Sequence, residues 1–287
     1  MTIDLHTHTA FSDGTDSPAQ LMSAAVAAGL DTVAITDHDT TEGWAPAAAA
    51  RPEQMVLVRG AEFSTHYRHE SGRVSVHLLG YLFDPAAPVL LAEVARLQDD
   101  RLHRGMAIVD RLIAGGVPIS RQQVLEIAGD APVGRPHIGR ALMAAGLVNS
   151  VTEAFEVYLA GNGPYYVDKA DTELFDAVAL VRAAGGVPVL AHPRSRSAAR
   201  ATDAALLGRL ADAGLAGVEA DHPDHDAAAR AELRAIAGPL GLIVTGSSDY
   251  HGTNKAIRIG QERSTAEALA AIVAASSGTT GLLGPGA

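Results

Sequence analysis

Two histidines one residue apart, His6 and His8, close the first apolar run of the chain. On an extended strand, residues two apart face the same side, so both imidazoles can reach one metal ion. Asp13 follows in FSDG, His38 lies in TDHD, Glu62 in GAEFS, His77 in SVHLLGY, His192 in LAHPR, and Asp249 and His251 in GSSDYHG. Singly, each has an ordinary explanation: a capping carboxylate, a satisfied buried histidine, a turn aspartate. Together they are six histidines and three carboxylates, and nearly every one follows an apolar run. With no cysteine in the chain, any metal must be held by nitrogen and oxygen, which suits Zn, Mn or Fe(II). These donors exceed the four of one tetrahedral site, so two to three divalent ions are expected.

The elements that must position them are short and regular. Strand character is seen at 3–5, 32–36 (TVAIT), 55–58 (MVLV), 74–81 (VSVHLLGY), 187–191 (VPVLA), 215–218 (LAGV, running into Glu219) and 242–245 (LIVT). Helical segments lie between most of them, at 18–29 after the N-cap Ser17, at 172–185 and at 202–214, each stopping at a glycine. Alternation of this kind predicts a mostly parallel sheet, as a barrel or an open sheet, with chemistry at the carboxyl ends of the strands. Residues 85–164 break the alternation. They read as helices at 89–115, 121–128, 137–146 and 151–159, and predict a small helical domain inserted between barrel segments 1–84 and 165–287. The Gly/Ser/Thr-rich stretch from Ser276 to the end reads as a loose tail.

Composition bounds the partners. The 287 residues are 47% hydrophobic and 19% charged, as in a globular protein with a self-sufficient core. A formal net charge of −11 argues against a surface for long nucleic acid, yet not against a small anionic substrate, because bound cations reverse the local potential. The N-terminus shows neither a basic region nor an apolar signal core, and no uninterrupted run of about 18 apolar residues is present. A cytoplasmic protein without membrane contact is the expectation. The sequence leaves the oligomeric state open.

The motifs DLHTHTAFSDG, AITDHDT, GAEFS, HLLGY, AHPR and GSSDYHG, spread over residues 4–252, resemble those of the polymerase-and-histidinol-phosphatase (PHP) superfamily of phosphoesterases. The resemblance implies an α/β fold, a distorted seven-stranded (β/α)7 barrel with an inserted small helical domain. It further implies a metal centre in which His6, His8, Glu62 and Asp249 surround one ion. Glu62, His77 and His192 would hold a second, and Asp13, His38 and His251 a third. The stretch 133–167 and the segment GVEADHPDHD are similar to one subgroup of the superfamily, which hydrolyses nucleoside 3′,5′-bisphosphates and trims short RNA from its 5′ end.

The expected activity is hydrolysis of phosphate esters of nucleotides (a nucleoside bisphosphate, a monophosphate or a short oligoribonucleotide) by a metal-bridging hydroxide. The residues expected to carry catalysis are His192, His222 and Asp249, with His222 or His225 as a candidate acid for the leaving alcohol. Arg135, His137, Arg194, His222 and His225 are the candidate substrate-binding residues, since guanidinium pairs with phosphate in two-pronged fashion. Arg101 and Arg104, on an inserted helix, are expected to be solvated or else to line a nucleotide cleft. The alternatives are a histidinol-phosphate-type phosphatase of small metabolites, a non-catalytic barrel module, and an amidohydrolase. The inserted segment weighs against the first and the complete donor set against the second. No lysine follows directly on any of the seven strand ends to bridge metals as amidohydrolases require.

Overall fold

The seven apolar runs come together in one sheet, and the residues that follow them meet at its carboxyl side. The computed structural model describes residues 1–70, 72–129, 131, 133–161, 163–195, 198 and 202–285. In chain order the elements are β1 (Ile3–Asp4), α1 (Pro18–Ala27), β2 (Thr32–Ile35), α2 (Trp44–Ala50), β3 (Val56–His69) and β4 (Gly72–Tyr81). The helical stretch follows as α3 (Pro88–Ala114), α4 (Arg121–Ala128), α5 (Arg135–Ala144) and α6 (Val151–Val157). The chain then returns through β5 (Thr172–Glu173), α7 (Leu174–Ala183), β6 (Val187–Ala191), α8 (Ala204–Asp212), β7 (Gly217–Asp221), α9 (Ala227–Ala237), β8 (Ile243–Gly246) and α10 (Ala266–Ala275).

Local chemistry sets these boundaries. Ser17 and Gln20 form a capping box at the start of α1, with Pro18 in the first turn, and Gly29 turns the chain out at φ +70°. The residues of β2 and of β6 are buried throughout, as expected of strands covered on both faces.

The strand order is β1-β2-β3-β4-β6-β7-β8, with β5 attached to β3 off this path. Pairing is parallel except around β4, which runs antiparallel to both β3 and β6. β3 and β4 are joined by a tight hairpin and need no crossover helix, so one strand points against the others. β3 is also far longer than its apolar run MVLV suggests, because pairing with β4 extends it to His69. Glu62 therefore lies within a strand, not after one. Residues 172–173, expected in a helix, form β5 against Thr65 and His66, and the helix starts at Leu174.

The seam between β8 and β1 is closed by side chains and single bridges. Thr7 bridges Tyr250, and the His8 amide donates to the Tyr250 carbonyl at 2.9 Å. Asp4 accepts from the Ser248 amide at 3.0 Å, the Ser248 hydroxyl at 2.5 Å and the Gly260 amide at 2.8 Å. The result is a nearly closed seven-stranded barrel. Its interior is filled by Ile3, Leu5, Val58, Leu79, Val187 and Val189 around Tyr81, whose hydroxyl donates to the Leu5 carbonyl at 2.9 Å. A separate apolar cluster (Ile108, Leu112, Val124, Ile138, Leu142 and neighbours) is built from α3 to α6.

The expected loose tail is instead tied down. Leu283 exchanges two backbone hydrogen bonds with Leu57, at 2.8 and 3.1 Å, and the Gly281 carbonyl accepts from Arg59. The cause lies in β3: its first residues pair with β2 only, since the ladder to β4 begins at Gly60, and the tail takes the vacant edge. Gly286 and Ala287 of that tail, and Asn162 of the inserted stretch, lie outside the described residues. Among those described, no helix is long and apolar enough to cross a membrane.

Asp4 is the test of the seam. Replacing it with alanine strands three buried donors on the far side of the barrel, and urea denaturation of Asp4→Ala should show a loss on the order of 3–5 kcal/mol. A loss below about 1 kcal/mol would mean that the seam is held elsewhere.

Candidate metal centre and active site

Five of the nine donors converge on a sixth, the carboxylate of Glu62. Glu62 Oε2 lies 3.2 Å from each of His6 Nε2, His8 Nε2 and His38 Nδ1. Its other oxygen, Oε1, is 2.8 Å from His77 Nδ1 and 2.9 Å from His192 Nε2. Asp249 Oδ1 sits 3.5 Å from His6 Nε2 and 3.3 Å from His8 Nε2, and Asp13 Oδ1 lies 3.1 Å from His251 Nε2. Among the described residues, three groups emerge in which every donor atom lies within 4.8 Å of the others: His6, His8, Glu62 and Asp249; His8, Asp13, His38 and His251; and His38, Glu62 and His77. The first has the composition expected from the sequence. The second adds His8 to the expected trio. In the third, His38 stands where His192 was expected, while His192 meets Glu62 from the other side.

Backbone strain holds several of these residues in place. Among the described non-glycine residues, positive φ is found at Asp39 (53°), Leu82 (55°), His192 (26°) and Asp249 (54°), and three of the four belong to this site. Such conformations persist only where the surroundings enforce them. Asp37 fixes the loop after β1 by accepting from the Thr9 amide, the Thr9 hydroxyl and the Ser12 hydroxyl, each at 2.7 Å. Gly14 lets that loop fold back, since a Cβ there would lie 2.4 Å from the His8 carbonyl oxygen.

The donor set fits divalent cations. His6 Nε2 and His8 Nε2 are only 3.0 Å apart, close to the ~3.3 Å edge of a tetrahedron with nitrogen 2.0–2.1 Å from a metal. Asp13 Oδ1 and His38 Nδ1 are buried beside His251 and Glu62 but, among the described residues, form no well-aligned hydrogen bond, an arrangement that a bound cation would relieve. Burial alone would raise the Glu62 carboxyl, but the charges of His77, His38 and His6 outweigh it and hold the group well below its usual range. Asp249 and Asp13 are likewise pushed down against burial, Asp249 by Lys255 and His251, Asp13 by His251 and His38. Three ionised carboxylates in a buried pocket call for positive counter-charge.

Two contributors were not singled out from the sequence. Glu219, fully buried on β7, reaches His6 Nδ1 at 3.2 Å through one oxygen and accepts the His192 amide at 2.9 Å through the other. Burial would raise its carboxyl, but His6 in first place holds it down to about 2. It therefore leaves the His6 Nε2 lone pair facing the cluster, the role of a second-layer carboxylate. The signal was present, since Glu219 ends an apolar run as the ligand-type residues do. Lys255 pairs with Asp249 Oδ2 from a loop six residues further on, and nothing in the sequence pattern announces it.

A cavity of about 540 Å³ opens over this cluster. Its wall includes Arg101, Arg104, Arg135, Phe155 and Lys169 from the helical stretch and its return. Arg101, expected to be solvated or to line a cleft, lines the cavity and is mostly buried: Nε bonds Asp39 Oδ2 at 2.5 Å and Nη2 bonds the Ser64 hydroxyl at 2.6 Å. Arg104 donates to the Val167 carbonyl. Arg135 lines the cavity with its guanidinium over the Phe155 ring, 4.9 Å from the centroid, and donates to the Leu159 carbonyl. His222 also lines it, with Nδ1 accepting the Asp224 amide and Nε2 3.4 Å from Asp249 Oδ2. The other candidate substrate residues are engaged elsewhere. His225 spans the Ala220 carbonyl and the Arg194 amide, and Arg194 bonds Thr202 and Glu232. His137 is buried at the start of α5, where Nδ1 accepts the Gly134 amide as part of a capping arrangement. These three therefore shape the walls from behind.

Burial, helped by nearby Arg140, depresses the His137 imidazole to about 4. The unfolded chain takes up its proton near pH 6.5 and the folded chain does not, so this contribution is complete above pH 6.5 and is lost as pH falls toward 4, by up to about 3 kcal/mol. His137→Gln keeps an acceptor at the same helix position without titrating. Urea unfolding at pH 7 and pH 4.5 should find the variant losing about 2–3 kcal/mol less than wild type over that interval. Equal losses would show that His137 titrates freely.

The sequence model of the PHP domain matches residues 4–126. The 3′,5′-nucleoside bisphosphate phosphatase of Chromobacterium violaceum is 32% identical over 87% of this chain and 87% of its own length. The phosphoribosyl 1,2-cyclic phosphate 1,2-diphosphodiesterase of Eggerthella lenta is also 32% identical, over 87% of this chain and 94% of its own. The 5′-3′ exoribonuclease Rnm of Escherichia coli is 29% identical, over 90% and 88%. A crystal structure from Bifidobacterium adolescentis, assigned to the metal-dependent phosphoesterases, superposes with a TM-score of 0.88 at 32% identity, over 96% of this chain and 97% of that one. Converging donors on a nearly closed seven-stranded barrel, and relatives matched along almost their whole length, place the chain in the PHP family of metal-dependent phosphoesterases.

Proposed function

We propose that the protein hydrolyses phosphate esters of nucleotides, with a nucleoside 3′,5′-bisphosphate or the 5′ end of a short oligoribonucleotide as substrate. One observation carries the reading: a single cavity has seven of the nine metal-type donors in its lining and Arg101, Arg104, Arg135 and Lys169 in its wall. A substrate with one phosphate to be cleaved and a second to be held fits two such regions. Residues 85–164 form the lid domain that supplies much of this wall to the barrel of residues 1–84 and 165–287.

Two to three ions of Mn, Fe or Zn would be held by His6, His8, Asp13, His38, Glu62, His77, His192, Asp249 and His251, and would supply Lewis acidity and a nucleophilic water at neutral pH. The chain's own groups do the rest. His222 carries its proton on Nε2, because Nδ1 accepts the Asp224 amide, and Nε2 faces the cavity. As the ester P–O bond breaks, that N–H donates a hydrogen bond to the leaving oxygen, which takes its proton from water. Arg135 holds the phosphate that does not react, its guanidinium kept in place by Phe155 and the Leu159 carbonyl. Phe155 offers an apolar surface to the nucleoside.

Protein purified without chelator should contain two to three equivalents of transition metal by elemental analysis, and Glu62→Gln should lower both that number and activity while the fold, by circular dichroism, remains. A metal content near zero with activity intact in chelator would refute the reading. Release of phosphate from adenosine 3′,5′-bisphosphate, a 5′-phosphorylated oligoribonucleotide and histidinol phosphate separates nucleotide from small-metabolite specificity.

Arg135→Ala should reduce kcat/KM for the bisphosphate about ten- to a hundred-fold, the value of a charged hydrogen bond. p-Nitrophenyl phosphate, with its single phosphate, should be cleaved almost as before. Equal losses on both would move Arg135 to the reacting phosphate, and no loss on either would remove it from the site.

A further inference from the structure

The two oxygens of Asp249 meet different partners. Oδ1 faces His6, His8 and, at 3.4 Å, His251 Nδ1. Oδ2 faces the cavity, where it meets the Lys255 ammonium and, at 3.4 Å, His222 Nε2. Lys255 is half-buried, with 32% of its side chain exposed, and it lines the cavity. The other basic groups pair away from the cluster: Arg101 with Asp39 and Lys169 with Asp171.

An ammonium at this point is expensive for a pocket whose donors are suited to cations. It repels any ion that Asp249 helps to hold, through a carboxylate the two must share. If the sole need were to hydrogen-bond Oδ2, a neutral amide or hydroxyl would serve without that repulsion. The position becomes favourable when a second anion enters between the amine and the cluster. A phosphoryl group under attack is such an anion, and charge is spread over its oxygens as the ester bond breaks. The flexible stem and three donors of lysine allow one N–H to stay on Asp249 while another turns toward the new oxygen.

We propose that Lys255 is a catalytic residue that donates a hydrogen bond to a non-bridging oxygen of the phosphoryl group being cleaved, beside His222 at the leaving oxygen. The assignment rests on the phosphoesterase reading above. Lys255 transfers no proton. Water oxygen bonds to phosphorus, the ester P–O bond breaks with its electron pair going to the leaving oxygen, and that oxygen takes a proton released by the attacking water while the His222 N–H is hydrogen-bonded to it. The contrast with Arg135 is direct: Lys255 serves every phosphate ester, whereas Arg135 serves those with a second phosphate.

The experiment compares Lys255→Met and Lys255→Arg with wild type in the full-length, metal-loaded protein. Lys255→Met should lose about 100- to 1000-fold in kcat on both adenosine 3′,5′-bisphosphate and p-nitrophenyl phosphate, as for removal of a donor to transition-state charge. Lys255→Arg should recover part of the loss. Inorganic phosphate should bind the Met variant at least about ten-fold more weakly by calorimetry, the loss of one charged contact. Metal affinity, measured by competition with a chromogenic chelator in the absence of phosphate, should be unchanged or tighter, because a repelling charge is gone. A kcat within about three-fold of wild type, less than 1 kcal/mol of barrier, would overturn the assignment. So would a loss that tracks weaker metal binding and is restored by added metal, which would make Lys255 a support for Asp249. If wild type cleaves no phosphate ester, the phosphoesterase reading falls and takes this assignment with it. An active wild type with an unaffected variant removes the assignment alone.

Discussion

Five imidazoles around one buried carboxylate form the constraint on which this molecule is built. Glu62 has His6, His8 and His38 on one oxygen and His77 and His192 on the other, all between 2.8 and 3.2 Å. Those histidines come from β1, β2, β4 and β6 or the residues just after them, so four strands must end at the same height around a fifth. A barrel meets that demand because its strands converge on one rim. The hairpin serves it too. An antiparallel β4 brings His77 opposite Ser64, two residues from Glu62, in the register that sets both side chains at the cavity floor. Packing elsewhere follows from keeping this rim fixed, as in the phenol of Tyr81 bonded to the Leu5 carbonyl just below His6.

Much of this was legible in the sequence because parallel, doubly covered strands are short apolar runs that stop abruptly. A histidine or carboxylate placed just beyond the stop is placed at the rim. All seven runs form strands, and the donors of the expected first ion converge as a group. What escaped depends on pairing rather than local pattern. The length of β3 and the reversal of β4 are properties of the hairpin ladder, and β5 exists only because β3 is long enough to offer Thr65 and His66 as partners. The tail shows the same limit: its small polar residues look unstructured until an unpaired edge at Leu57 is available. The surroundings of Arg101 and His137 were hidden for a related reason. Helix position alone does not say that one helix lies over Asp39 or that another packs against the loop of Ser12.

The helical stretch is joined to the metal-type cluster more closely than a cover requires. From α3, Arg101 grips Asp39 and Ser64, and Gln98 donates to the Asp39 carbonyl at 3.2 Å. Asp39 in turn has a positive φ and accepts the Ser64 amide, directly after His38. The strained turn that presents His38 is thus held from both sides, by the barrel and by the insertion. The residues that line the cavity wall and those that shape the cluster belong to one hydrogen-bonded assembly.

The seam of the barrel sets an order on how the molecule is made. Asp4 must find Ser248 and Gly260, and Ile3 must find Ser264, across nearly the whole length of the chain. While the ribosome is still extending the chain, His6, His8, Asp13, His38, Glu62 and His77 are already synthesised, yet Asp249 and His251 do not exist. An incomplete nascent chain therefore offers only a partial set of donors on an open sheet, with loop closure still to come. A chain stopped short of residue 249 lacks Asp249 and His251, so it has strands and helices but no complete donor set.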